Sequence, residues 1–238
     1  MSRALVAKPL RPWFGLAACG LFAAALGGCS PPPPPPPWRV VTTDPTGWML
    51  AVAATADRVI TAGGQPGSGP GMPGQGVVTV VRGTAAATVT RLPSPQPGML
   101  WWVHALPGGA VWFAGENGSV VRYDESQLDP KTQNPELRAI PTSTTATLYG
   151  IWALSDEDVW AVGGNVGVIL RYNGSVWSSQ DGADLKIFDV WGSDINNVWA
   201  VGVVNVLKWD GRAWSVEASP SEDWLLGLWG SDARHVWA

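Results

Sequence analysis

The segment Val159-Trp160-Ala161-Val162-Gly163 recurs as Val198-Trp199-Ala200-Val201-Gly202, and a shorter copy stands at Val236-Trp237-Ala238. Residues 111–115 and 59–63 are weaker copies. Aligned on the tryptophan, the copies place positions 60, 112, 160, 199 and 237 in one column, at spacings of 52, 48, 39 and 38 residues. Self-similarity at a period of roughly 20–50 residues indicates a repeat architecture.

Further columns keep the same register. Eight residues before the anchors stand, in order, Val52, His104, Trp152, Trp191 and Trp229. After the anchors, Tyr123, Tyr172 and Trp209 align, and a tryptophan follows the last two of them by five residues. Recurrence at fixed repeat positions predicts packing within and between repeats rather than ligand binding. We therefore expect a structural role for Trp112, Trp160, Trp199, Trp237, Trp152, Trp191, Trp229, Trp177 and Trp214.

Each repeat contains four short segments typical of strands. In the fourth repeat they are predicted at about 185–192, 198–202, 205–209 and 213–218, rich in the Trp and Val that a half-buried pleated surface favours. Asn173-Gly174 and Asp210-Gly211 separate the third and fourth segments, which predicts hairpins with type I′ turns. Gly163 and Gly202 end the second segment, where glycine would permit the turn.

Four-stranded repeats of this length predict an all-β fold, a β-propeller of antiparallel blades. Four complete blades are expected at about 48–93, 99–140, 147–179 and 184–218, followed by a partial fifth. The propeller domain is predicted over 38–238, incomplete at its C-terminus and part of a longer ring of six to eight blades. Residues 38–42 align with a fourth strand placed ahead of the first, which would help to close that ring.

The best-marked repeat resembles the blade of kelch-like and WD-like propellers. Gly163-Gly164, then Tyr172, then Trp177 follow the kelch order of a glycine pair, a tyrosine and a tryptophan. The short period and the missing second glycine after Gly202 depart from that pattern. The resemblance therefore implies the blade architecture and no functional residue.

Residues 1–28 read as an export signal, with Arg3, Lys8 and Arg11 ahead of an apolar stretch that ends in small residues. Leu26-Gly27-Gly28-Cys29 resembles the lipobox of bacterial lipoproteins. The resemblance implies cleavage between Gly28 and Cys29 and lipid attachment at Cys29. A second lipobox-like stretch ends at Cys19 but leaves too short an apolar region before it. An uncleaved transmembrane anchor is the other alternative.

Cleavage would remove three positive charges and no acid, changing the net charge from −4 to −7. This balance argues against nucleic acid as a partner. Cys29 would be the only remaining cysteine, which excludes an internal disulfide. Residues 29–37 are predicted to be a lipidated linker whose seven prolines form a polyproline II spacer. Ser30, in place of the aspartate that retains diderm lipoproteins at the inner membrane, predicts the outer membrane.

No catalytic or metal-binding motif stands out, and we expect no catalytic residue, metal or cofactor. His104 occupies a tryptophan column and is expected to pack, whereas His235 is expected in a solvated turn. The acidic run 156–158, together with Asp194 and Asp232, falls between first and second strands. There aspartate favours hydrogen bonds to the local backbone, so turn roles are expected.

Trp48, Trp101 and Trp224 lie outside the columns or at strand starts and are the candidate binding surface. Two loop insertions, 63–76 and 125–135, are further candidates for partner contact. The sequence favours a non-enzymatic envelope lipoprotein whose propeller binds a protein or a glycan. The alternatives are an exported hydrolase or lyase acting on polysaccharide, with catalytic residues in further blades, and an assembly scaffold.

Overall fold

A computed structural model of the chain describes residues 47–69, 72–83, 87–128, 135–181, 185–204, 206–219 and 222–238. The predicted signal, Cys29, the polyproline linker and the predicted strand at 38–42 lie outside the described residues. No helix among the described residues is both long and apolar enough to cross a membrane.

The strands pair with their sequence neighbours to form five antiparallel sheets. The first two sheets contain β1 (Trp48–Ala54), β2 (Arg58–Gln65), β3 (Gln75–Arg82), β4 (Thr88–Pro97), then β5 (Leu100–Ala105), β6 (Val111–Gly115), β7 (Val120–Leu128), β8 (Pro135–Ala139). The next two contain β9 (Leu148–Ser155), β10 (Asp158–Gly163), β11 (Val168–Tyr172), β12 (Trp177–Ser179), then β13 (Ile187–Asp194), β14 (Asn197–Gly202), β15 (Val206–Trp209), β16 (Trp214–Glu217). The fifth contains β17 (Trp229–Asp232) and β18 (His235–Trp237).

Four complete blades and a partial fifth are thereby confirmed, as is the all-β propeller fold. The first strands of successive blades contact one another, so they form the inner surface of the propeller. Both insertions differ from expectation, because strand pairing continues into them. Gln65 pairs with Gln75, and Leu128 with Pro135, so each insertion is partly an extended hairpin.

The glycine of the repeated motif ends three of the second strands and lies two residues before the end of β2, and it is required for a different reason from the expected turn. A Cβ at Gly63, Gly115, Gly163 or Gly202 would overlap the carbonyl oxygen of the residue opposite, which is Trp48, Met99, Thr147 and Lys186 in turn. The left-handed backbone lies one residue later, at Gly164, where φ is +73°. Close approach of two backbones, not turn geometry, therefore requires glycine in the repeated motif.

The predicted type I′ turns are wrong, although the hairpins exist. Gly174 has a φ of +90°, but Asn173 does not adopt a positive φ, which a type I′ turn needs at both central residues. Instead the loop has four residues, and the Asn173 Oδ1 accepts hydrogen bonds from the N–H groups of Ser175 and Val176. The Asp210 carboxylate caps the equivalent loop of the fourth blade in the same way.

Packing between blades uses one repeated arrangement. The anchor side chain on the second strand of a blade contacts the third or fourth strand of the next blade. Ile60 shares a buried cluster with Tyr123, and the Trp112 ring lies 5.7 Å from Tyr172. The Trp160 ring lies 5.2 Å from Trp209. The anchor column and the column that follows it are therefore the two sides of each blade interface.

A candidate binding cleft on the inner strands

A cleft of about 400 Å³ opens on the inner surface of the propeller, at the start of the first strands. Residues from all four complete blades, and one from the segment before β17, line it. We call it the central aromatic cleft and define it by Leu50, Trp101, Trp102, Tyr149, Lys186, Phe188 and Leu226. Its volume falls within the range of small-ligand sites, which is roughly 300–1,000 Å³.

Aromatic rings follow one another along the cleft from blade to blade. The ring centroids of Trp101 and Tyr149 are 5.6 Å apart, and those of Tyr149 and Phe188 are 5.8 Å apart. The series continues from Phe188 to Trp224, again over 5.8 Å. Trp101, Tyr149 and Phe188 are half-buried, and Trp224 is 63% exposed. A run of apolar rings therefore faces the cleft without being enclosed by the fold.

Bulges in the first strands place these rings. Tyr149 lies between buried Leu148 and Gly150 on β9, and Phe188 lies between buried Ile187 and Asp189 on β13. The flanking residues pair with consecutive residues of the second strand, so each ring belongs to the extra residue of a bulge, which turns it toward the cleft. A Cβ at Gly150 would lie 2.9 Å from the Cα of Asp189, so this glycine permits the two inner strands to approach closely.

Lys186 is the one charged residue among the described residues that line the cleft. Its Nζ lies 4.6 Å from the ring centroid of Tyr149 and 5.2 Å from that of Phe188. None of the ion pairs found among the described residues involves Lys186. The two rings hold the ammonium group by cation–π contacts, and its charge is left uncompensated by any described carboxylate.

Asp189 lies directly behind the cleft and is 1% exposed. Its Oδ1 accepts a hydrogen bond from the N–H of Val190, and its Oδ2 accepts one from the N–H of Leu228. Burial raises the pKa of this carboxyl to about 7, and the two hydrogen bonds oppose that rise. Since both oxygens bond to backbone and are shielded from solvent, Asp189 connects β13 to the segment before β17 rather than facing a substrate.

The predicted surface tryptophans divide between two places. Trp101 lines the cleft, and Trp224 extends its ring series. Trp48 is 58% exposed but lies apart, beside a narrow pocket with Gly63 and Gly64. Sequence reasoning missed Tyr149, Phe188 and Lys186. The signal was available for the first two, because Met49, Trp101, Tyr149, Phe188 and Leu226 all stand eleven residues before an anchor.

The tryptophans of the repeat columns occupy a range of environments. Trp112, Trp152 and Trp160 are buried, whereas Trp177, Trp191, Trp199 and Trp214 are half-buried. Trp229 and Trp237 are 60% and 53% exposed and stack on each other with centroids 5.3 Å apart. Burial therefore differs among the tryptophans of the repeat columns.

A second cleft, of about 620 Å³, is lined by charged groups at the first and second blade interfaces. Arg122 forms hydrogen bonds with both oxygens of Asp156, which also accepts one from the indole N–H of Trp112. On the first interface, Glu125 pairs with Arg58 and Arg82. These ion pairs connect neighbouring blades, so Asp156 does more than the expected turn role.

The Asp156 carboxylate of this second cleft is a poor candidate for a general acid. The hydrogen bonds from Arg122 hold the pKa of Asp156 below its ordinary value, so the group stays ionised at neutral pH. A general acid would instead need a raised pKa and a free proton. The geometry therefore favours inter-blade bonding for these side chains.

The two histidines do not converge on a shared site. Burial lowers the pKa of His104 to about 4, and its ring lies 6.2 Å from Trp152. His235 is exposed, but it begins β18 rather than lying in the expected turn, and its Nδ1 lies 2.8 Å from Asp232 at the end of β17. In the part of the chain that the structure describes, no group of three His, Cys, Asp or Glu side chains could hold a metal ion.

The sheet order and the inner-strand cleft define the chain as a β-propeller of the kind built from four-stranded blades. No protein-family model matches it, and no curated protein matches it. Among solved structures it is similar to the propeller in "YCF48 bound to D1 peptide", at 13% identity and a TM-score of 0.57. The match covers 85% of this chain and 63% of the other. At this identity the likeness concerns the fold alone.

Proposed function

We propose that the chain is an exported, lipid-anchored protein of the cell envelope whose β-propeller binds a protein or a glycan without catalysing a reaction. One observation carries the binding role: the series of half-buried rings in the central aromatic cleft. An apolar surface that the fold leaves open is a common mark of a ligand or partner site. Its place on the inner strands of successive blades gives a ligand contacts with several blades at once.

The anchoring part of the proposal is supported by the sequence. A signal over 1–28, acylation of Cys29 and a proline spacer at 31–37 would hold the propeller away from the membrane surface. Three acyl chains exceed the two signals that stable anchoring requires. Ser30 favours the outer membrane, and the kelch-like arrangement of glycine, tyrosine and tryptophan favours a kelch-related blade.

Two observations support binding over hydrolysis. The carboxylates of the charged cleft are bonded to arginine across blade interfaces, and both oxygens of buried Asp189 bond to backbone N–H groups. In addition, a propeller of similar fold is described as bound to a peptide. That precedent favours a peptide segment as the kind of partner that a propeller of this type can hold.

The anchor is tested by metabolic labelling with an alkyne-tagged palmitate in a diderm host. Cys29→Ala should abolish the label and release the chain from the membrane fraction. Cys19→Ala is the matched control and should keep both. Label retained by Cys29→Ala, or lost only in Cys19→Ala, would refute acylation at Cys29.

Binding is tested in cells with a photo-reactive benzoylphenylalanine at Tyr149 in the cleft. The control carries the same group at Val216, which is 71% exposed on β16, outside the cleft. We expect a discrete cross-linked species from position 149 and not from 216. Equal adducts from the two positions, or none from either together with no retention on glycan arrays, would count against the proposal.

A further inference from the structure

The lining of the central aromatic cleft restricts what it can bind. Six of the seven lining residues carry apolar or aromatic side chains, and the seventh is Lys186. A ligand that fills this space must therefore be largely apolar. An anionic group on that ligand would pair with the ammonium group of Lys186, which none of the ion pairs among the described residues involves.

The lysine is held in place for such a partner. Its Nζ lies over the rings of Tyr149 and Phe188, at 4.6 and 5.2 Å from their centroids. These contacts restrict the flexible side chain before any ligand arrives, which lowers the entropy cost of forming an ion pair. No described ion pair occupies the ammonium group, so its remaining N–H donors can bond to an incoming carboxylate.

The ring geometry favours a peptide over a sugar chain. Neighbouring rings meet at 76° for Trp101 and Tyr149, and at 58° for Tyr149 and Phe188. Such rings offer steps and edges rather than one flat platform on which successive sugar rings could stack. The mainly apolar lining also gives sugar hydroxyls few hydrogen-bond partners, whereas branched or aromatic side chains of a peptide fit between tilted rings.

We propose that the central aromatic cleft binds an extended acidic peptide segment, whose large apolar side chains pack among Trp101, Tyr149 and Phe188 and whose carboxylate pairs with Lys186. This inference rests on the proposed binding function and specifies the partner's chemistry. The carboxylate belongs to an Asp or Glu side chain or to a chain terminus, and the same ion pair serves each.

The first experiment selects ligands without assuming a sequence. The full chain, purified in detergent and immobilised, is panned with a phage-displayed random heptapeptide library. We expect enriched peptides to combine at least one Asp or Glu with two or more large apolar residues. Polygalacturonate, an acidic polysaccharide, is tested in parallel for retention on the same immobilised chain and should not be retained.

Variants then assign the contacts, with the best synthetic peptide measured by fluorescence anisotropy. Lys186→Met should weaken binding about tenfold or more, and Lys186→Arg should weaken it less, because a charge-assisted hydrogen bond is lost only in the first. Lys208→Met is the matched control, since the Lys208 Nζ makes a similar contact 4.8 Å from the Trp199 ring centroid, outside the cleft. It should leave binding unchanged.

The outcomes separate this inference from the function on which it rests. Enriched peptides without acidic residues, or an unchanged affinity in Lys186→Met, would overturn the acidic class. If Phe188→Ala abolished binding of those non-acidic peptides, the proposed binding function of the cleft would be retained. Retention of polygalacturonate without peptide enrichment would overturn the peptide class, and binding of neither probe would overturn the inference and weaken the proposed function.

Discussion

Replacing Trp160 and Trp199 by alanine tests the blade interface, because the two residues share a column, a strand position and a side chain. Trp160 is fully buried between the third and fourth blades, with Trp209 and Trp214 centroids at 5.2 and 5.4 Å. Trp199 occupies the same place on the fourth blade but is half-buried. The comparison therefore varies the neighbouring packing and one polar contact, because the indole N–H of Trp199 donates to the Asn197 Oδ1 whereas that of Trp160 has no partner.

The expected magnitudes follow from burial. Removing a fully enclosed large aromatic side chain costs about 3–5 kcal/mol in transfer and cavity terms. Trp160→Ala also removes the contact with the Arg171 guanidinium, 4.9 Å from the ring centroid, which adds roughly 0.5–1 kcal/mol. At Trp199, which stays partly in water, the same change withdraws less apolar area and leaves no enclosed cavity, so it should cost less, about 1–3 kcal/mol.

Urea unfolding followed by far-UV circular dichroism measures both variants against the parent chain. If Trp160→Ala leaves too little folded protein, Trp160→Phe serves instead, since it keeps a ring and removes an indole N–H that has no partner. Trp160→Phe should lose less free energy of unfolding than Trp160→Ala and more than Trp199→Phe. Equal losses at 160 and 199 would refute the view that the repeated tryptophan stabilises the fold through the adjacent blade.

The remaining predictions concern pH and two local contacts. Because burial raises the pKa of Asp189 from 3.8 to about 7, this group makes the urea midpoint fall as pH rises from 4 to 7. Asp189→Asn should remove that component, and an unaltered slope would contradict it. Burial lowers the pKa of His104 from 6.5 to about 4, so this group makes the protein less stable as pH falls from 6.5 to 4, opposite in sign to Asp189. His104→Phe should reduce that loss of stability. Asp156→Asn should cost about 0.5–1.5 kcal/mol, less at high salt, because Arg122 loses one of its two charged acceptors and the pair is partly exposed to solvent; a salt-independent loss would argue against an ion pair. Gly163→Ala should lower the thermal midpoint strongly, because the new Cβ would overlap the carbonyl oxygen of Thr147; a nearly unchanged midpoint would instead support the turn explanation.

The sequence predicted the blades because the second strand must meet two demands at once. Its tryptophan has to fill a blade interface, and its glycine has to admit the backbone of the first strand, so both recur with the repeat. Turn types were less predictable. Asn173 and Asp210 accept hydrogen bonds from the backbone of the loop that follows them. Such a loop has the same Asx-Gly sequence as a type I′ turn, so the sequence does not distinguish the two.

Contacts between blades were beyond sequence reasoning for another reason. Asp156 and Arg122 are 34 positions apart, and nothing in either segment indicates that they meet. Part of the cleft was predicted, since Trp101 and Trp224 were candidates. The column through Met49, Tyr149 and Phe188 was missed because its residues are all apolar or aromatic but differ in type from repeat to repeat. Lys186 has Met99 and Thr147 at its equivalent positions, so no repeat signal marks it.

The difference between the two kinds of aromatic column bears on function. A ring enclosed on both sides, such as Trp112 or Trp160, must match a fixed space, and the repeat keeps tryptophan there. A ring such as Tyr149 or Phe188 contacts a ring of the neighbouring blade but keeps part of its surface open to the cleft, and a smaller apolar residue would leave less surface in water. Fold stability accounts for the interface column and for the contacts that the cleft rings make with one another and with Lys186, but not for the ring surface that stays open to the cleft. Under the proposed function, a ligand would cover that surface and pair with the ammonium group.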